Sequence, residues 1–150
     1  MNTLPKYLCR MVSFLGLACA LFCLWYVAVA ASSIFSSPPP DTPPRFTEWY
    51  VTLSTIAAII AIGVAVGSIG LMRLHIRGVR ILTICSLLPL VLLVIVGMSW
   101  LSPMGMSIAA ATGVSLGGLM PMMLSLLPVW AGLLWTFAFR PHQPLKPSNS

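Results

Sequence analysis

Between Ile81 and Phe139 the chain has no Asp, Glu, Lys, Arg or His, a gap of 59 residues. A soluble domain carries roughly a quarter charged residues. A run this apolar has no side to turn toward water, so lipid is the expected solvent. Carboxylates are scarce everywhere: Asp41 and Glu48 are the only acidic side chains among 150 residues. Proton relays, ion-coupled transport and most hydrolytic chemistry inside a bilayer need an ionisable group at depth. The long apolar runs hold none, neither the embedded Glu of small multidrug transporters nor the Ser with His or paired Asp of intramembrane proteases. These absences point away from an enzyme and imply no cofactor.

Cysteine is sparse as well, with Cys9, Cys19, Cys23 and Cys85 only. Cys19 and Cys23 are four apart on one helical face, and Cys9 and Cys85 are expected near a reducing cytoplasmic surface, so no disulfide framework is expected. His75 and His142 have no cysteine near them, which excludes a zinc spacing. The four thiols read as small packing residues.

What the chain does have is length of apolar sequence. It is 59% hydrophobic, with a mean hydropathy of +1.00. A helix rising 1.5 Å per residue crosses the hydrocarbon core in about 20 residues. The runs 11–35 and 51–72 are each expected to cross once. The run from Ile81 must cross twice, turning at Ser102-Pro103-Met104-Gly105-Met106. That gives a third span at 81–101 and a fourth at 119–139, with 107–118 as an interfacial or partly re-entrant lead-in. Gly113, Gly117, Gly118, Pro121 and Pro128 all weaken helical continuity there. One longer helix, tilted and bent at Pro121 or Pro128, is the other reading.

The net charge of +6 carries no nucleic-acid pattern of interleaved aromatic or Gly-rich sequence. Its placement reads as topology instead. Lys6, Arg10, Arg73, Arg77, Arg80, Arg140 and Lys146 fall on one side of the four spans, and Arg45 alone falls on the other. By the positive-inside rule both termini are cytoplasmic. Trp49, Tyr50 and Trp100 are expected at the outer boundary and Tyr7, Trp135 and Phe139 at the inner one, with Trp25 and Trp130 deeper and facing other helices. Ala28-Val29-Ala30 has the small-x-small form of a signal-peptidase site. The apolar part before it is slightly long for a signal peptide, and its loss would leave three spans in the same orientation. The outer loop 36–50, with Pro38, Pro39, Pro40, Pro43 and Pro44, is expected to be extended and stiff. The tail 140–150 is expected to be disordered.

Three features carry the remaining functional signal. Gly63 and Gly67 form a GxxxG pair that Gly70 extends, Gly113 and Gly117 repeat the spacing, and Gly16 with Ala20 is a weaker version. Small residues let backbones approach until helix contact replaces lipid. Arg73, Arg77 and Arg80 form a basic turn around His75, placed on one face if the helix continues through it, suited to anchoring at an anionic leaflet. Met98, Met104, Met106, Met120, Met122 and Met123 cluster toward the outer side. Thioethers suit Cu(I), which makes Met104, Met106, Met122 and Met123 the copper candidates, although no MxxxM motif accompanies them.

The expectation is therefore an all-α, four-span integral membrane bundle in a bacterial-type cytoplasmic inner membrane. Its role would be that of a non-catalytic accessory or scaffold subunit. Its partners would be the bilayer and either another membrane protein or a second copy. A pore-forming or transport protomer and a Cu(I)-handling protein are the alternatives. Hydroxyls at Ser54, Thr55, Ser68, Thr83, Ser86 and Ser125 are expected to add interhelical hydrogen bonds.

Overall fold

The structure is a computed structural model that describes residues 3–37, 40–41, 43, 45–99 and 105–138. All its regular elements are helical. They are α1 (Thr3–Ser36), α2 (Phe46–Met72), α3 (Ile76–Ser99), α4 (Gly105–Leu116), a 3-10 turn (Gly117–Leu119), α5 (Met120–Leu124) and α6 (Leu127–Ala138). Four helical stretches are long and apolar enough to cross a membrane: Lys6–Ser36, Phe46–Met72, Ile76–Met98 and Ser107–Leu124.

The first three helices begin five to eight residues before the apolar runs that identify them in the sequence. A charged residue does not mark where a helix ends. Lys6 and Arg10 lie in the first turns of α1, and Arg77 and Arg80 in those of α3. Their long stems can reach polar surroundings while the backbone stays helical.

α1, α2 and α3 alternate in direction. Gly16 of α1 faces Ser68 of α2, and the Cys23 thiol donates to the Ala57 carbonyl at 3.9 Å. The start of α1 is therefore level with the end of α2, and Lys6, Arg10, Arg73, Arg77 and Arg80 gather at one end of the bundle. Asp41 and Glu48 lie at the other. The reversal between α2 and α3 is a Schellman turn: the Leu74 amide donates to the Leu71 carbonyl at 2.9 Å and the His75 amide to the Gly70 carbonyl at 3.0 Å. It puts Leu74 in the left-handed region at φ 56°.

The last stretch descends the whole bundle from the acidic end to the basic end. Ala111 packs with Phe46 and Tyr50, an added Cβ at Gly117 would meet Tyr26, and Ser125 lies beside Cys19. The descent thus follows α1 downward from its upper half. One helix over 119–139 with a separate lead-in is not what forms; the helix starts at Gly105 and breaks twice. Pro121 has no N–H to give the Gly117 carbonyl, which instead accepts from the Met120 amide in a 3-10 turn. Pro128 likewise has nothing to give the Leu124 carbonyl. The chain turns at Ser125 and Leu126, with Leu126 left-handed at φ 54°.

The core is built from small and medium side chains on these inner faces, among them Cys23, Ala57, Ala61, Val64, Leu82, Leu119, Met122 and Leu127. Between the two charged ends the outward faces of the helices are apolar too. Met11, Phe14, Ile59, Val66, Val94 and Phe137 all point outward. An apolar exterior of this extent is unstable against water and ordinary against lipid. Trp25 and Trp130, expected to face other helices, are 60% and 41% exposed. Apolar side chains gain nothing by leaving hydrocarbon for a protein interior that is equally apolar. The expected turn at 102–106, the copper candidates Met104 and Met106, Pro38, Pro39 and Pro44 of the outer loop and the tail from Arg140 fall on positions or side chains outside the described residues, and residues 46–50 of the expected loop belong to α2.

Candidate functional site

No Asp, Glu, His, Lys or Arg side chain is buried among the described residues. Among the described residues the buried polar side chains are Ser13, Ser54, Ser68, Thr83, Ser86, Ser107 and Ser115, apart from the thiols and the phenol of Tyr50. No group of three or more His, Cys, Asp or Glu among the described residues is placed to hold a metal.

The most constructed feature is the seam between α2 and α3. Gly63, Gly67 and Gly70 are spaced by four and three residues, so they share one helical face. A Cβ on Gly67 would fall 2.7 Å from the Leu82 amide nitrogen and 2.9 Å from its Cα. One on Gly70 would fall 2.7 Å from the Gly78 Cα, and one on Gly63 would meet the Cys85 sulfur at 2.5 Å. The two backbones are in contact, and only glycine permits it. Gly78 is the half of this seam that sequence reasoning misses. Its signal is the helical spacing from Gly78 to Leu82 and Cys85, which puts the three on one face of α3.

The other glycines behave differently. Gly16 meets Ser68 and Leu82, so α1 closes on the same seam. Gly117 lies against the Tyr26 ring, whose hydroxyl would be 2.6 Å from an added Cβ. Gly113 has nothing within 4 Å of an added Cβ, and neither have Gly97 and Gly132. The repeat of GxxxG at 113 and 117 is therefore not one packed face. Gly113 instead opens onto a groove of about 180 Å³ lined by Pro89, Leu93, Thr112, Met120 and Met123 among others.

The hydroxyls also divide. Ser54 and Ser115 join α2 to α4 at 3.2 Å between their Oγ atoms, and Ser115 Oγ donates to the Tyr50 carbonyl at 3.4 Å. Ser125 Oγ lies 3.9 Å from the Cys19 sulfur. Thr55, Thr83 and Ser86 do not bridge helices; each donates to a carbonyl of its own helix, at Val51, Val79 and Thr83. Such back-bonding satisfies a hydroxyl wherever no partner helix offers an acceptor. Ser68 Oγ and the Tyr50 hydroxyl are buried with no protein partner.

The basic turn does not form one helical face, because the left-handed Leu74 separates Arg73 from Arg77 and Arg80. Arg80 turns back onto the bundle and lies over the Trp135 ring of α6 at 5.8 Å. The copper candidates that are described are divided: Met122 is fully buried in the core, whereas Met123 lines the groove beside Gly113. The cysteines are free thiols, three of them buried.

Compared with known proteins, the chain matches no family model, no curated protein and no solved structure.

Proposed function

We propose that this chain is a multi-pass protein of a cytoplasmic membrane, with both termini inside, acting as a non-catalytic accessory or scaffold subunit. The orientation rests on the basic end, where five cations gather without an acidic side chain. The lack of any buried carboxylate, imidazole, ammonium or guanidinium among the described residues speaks for a role without chemistry at depth.

The observation that carries the scaffold reading is the contrast between two glycine sets. Gly63, Gly67 and Gly70 are spent inside the protomer, so a partner cannot use them. Gly113 is open, small and set in a concave apolar groove between α3 and the descending chain. A partner helix gains the same close approach there that α2 and α3 gain from each other. Purification in gentle detergent, with intact mass measured on the same sample, tests this. A companion or second copy is expected with the unaltered chain and is lost on Gly113→Leu, which fills the groove from a position whose Cβ has open space around it. A lone monomer in gentle detergent refutes it.

A further inference from the structure

Where α1 meets the broken stretch between α4 and α6, the core is built around sulfur. Cys19 and Cys23 are four residues apart on α1, so their thiols share a face with Cβ atoms about 5–6 Å apart. Across from them, an added Cβ at Gly118 would fall 3.2 Å from the Cys23 Cα and 3.2 Å from its sulfur, and Ser125 Oγ lies 3.9 Å from the Cys19 sulfur. Met122 comes four residues after Gly118 and three before Ser125, on the same side of the descending chain. It therefore sits between the two contacts and turns toward the thiol pair, fully buried. Cys19, Cys23 and Met122 belong to one core cluster.

Packing alone leaves the two thiols with little. Their oxygen partners, Ser125 Oγ and the Ala57 carbonyl, are both 3.9 Å away. A disulfide needs Cβ atoms about 3.5–4.5 Å apart, closer than one helical turn brings them. A metal ion bridges what a disulfide does not reach, since two metal–sulfur bonds of about 2.3 Å span up to about 4.6 Å between the sulfur atoms themselves. Gly118 helps by omission, because any side chain there would crowd the Cys23 sulfur.

The donor set selects the ion. Two thiols and a thioether, with no carboxylate or imidazole, are soft ligands suited to Cu(I) and offer nothing to magnesium or calcium. A core of this kind tolerates little net charge, and Cu(I) with a single thiolate is neutral.

We propose that Cys19, Cys23 and Met122 form a binding site for one Cu(I) ion. One cysteine S–H bond breaks, its proton leaves to water, and an S–Cu bond forms with the oxidation state of copper unchanged; the other thiol and the thioether donate lone pairs. The site is independent of the scaffold role, which rests on the Gly113 groove. Of the methionines that suit copper by composition it uses Met122 alone.

Anaerobic titration of the full chain in detergent with Cu(I), against a competing Cu(I) chelator, tests it, with copper K-edge absorption measured on the loaded sample. The unaltered chain binds one equivalent in a shell of sulfur only, a readout that needs no variant. Cys19→Ala with Cys23→Ala abolishes binding. Met122→Leu keeps the core volume and weakens binding by more than the roughly 10-fold that loss of an outer-shell partner costs. Cys9→Ala with Cys85→Ala, and Met120→Leu with Met123→Leu, leave the affinity unchanged. Failure of the unaltered chain to hold Cu(I), or oxygen or nitrogen in its shell, overturns the proposal. So does full binding by the Cys19/Cys23 variant or by Met122→Leu, or equal loss in the Cys9/Cys85 variant. A lone monomer that still binds one Cu(I) defeats the scaffold reading and leaves the site standing.

Discussion

Replacing Gly67 by alanine adds one methyl group at the tightest point between α2 and α3. The new carbon would lie 2.9 Å from the Leu82 Cα and 2.7 Å from its nitrogen. Comfortable carbon contacts begin near 3.5 Å, so about 0.6 Å must be found. The obstructing atoms are backbone, and no rotamer change supplies it. The helices must part along the seam, loosening Gly63 from Cys85 and Gly70 from Gly78. Overpacking of this kind costs about 1–3 kcal/mol, against about 1 kcal/mol returned by the better helix propensity of alanine. The net expectation is a loss of up to about 2 kcal/mol. Gly113→Ala is the matched control, since nothing lies within 4 Å of its Cβ. It should be neutral or stabilising by up to about 1 kcal/mol. Reversible unfolding in mixed micelles, followed by far-UV circular dichroism, measures both. If Gly67→Ala is as stable as Gly113→Ala, the seam is not the close contact described.

Further outcomes follow from the same geometry. Ser68→Ala and Tyr50→Phe each remove a buried hydroxyl without a protein partner, so each should be neutral or stabilising by up to about 1 kcal/mol; a clear loss in the same unfolding assay would show a hidden acceptor. Ser54→Ala breaks the link to Ser115 and should cost about 0.6 kcal/mol, and adding Ser115→Ala, which also removes the bond to the Tyr50 carbonyl, should cost about as much again; equal stability of the single and double variants would show that the second bond carries nothing. Leu74→Gly relieves a left-handed leucine and should stabilise by about 1 kcal/mol, whereas a loss would mean that the leucine side chain holds the turn. Trp135→Leu should cost about 0.5–1 kcal/mol in the presence of Arg80 and nearly nothing in Arg80→Gln, as a double-mutant cycle can show.

The first three helices were legible in the sequence because uncharged runs bounded by Lys and Arg report directly on the lipid boundary. Their true ends were less legible, since Lys6, Arg10, Arg77 and Arg80 stand on helical turns that run past that boundary. The descent from Gly105 to Ala138 was harder. Gly117, Gly118, Pro121 and Pro128 announced discontinuity, but local sequence does not say whether a break ends a span or bends it. GxxxG had the same weakness: the spacing is identical at Gly63/Gly67 and Gly113/Gly117, and only the opposing helix distinguishes a contact from an opening. Trp25 and Trp130 were misplaced because lipid and protein interior are alike to an indole ring. Pairing partners such as Ser115 for Ser54, or Gly78 for Gly70, depend on helix register, which no single segment contains.

If a bilayer separates the basic end of this bundle from the end bearing Asp41, the two ends differ in their access to the outside. Single cysteines placed at exposed positions, His75→Cys and Asp41→Cys in a cysteine-free background, can be probed in sealed cells with a membrane-impermeant thiol reagent. The account predicts that Asp41→Cys reacts from outside, while His75→Cys reacts only after the cells are opened. Labelling of both from the same side would contradict it.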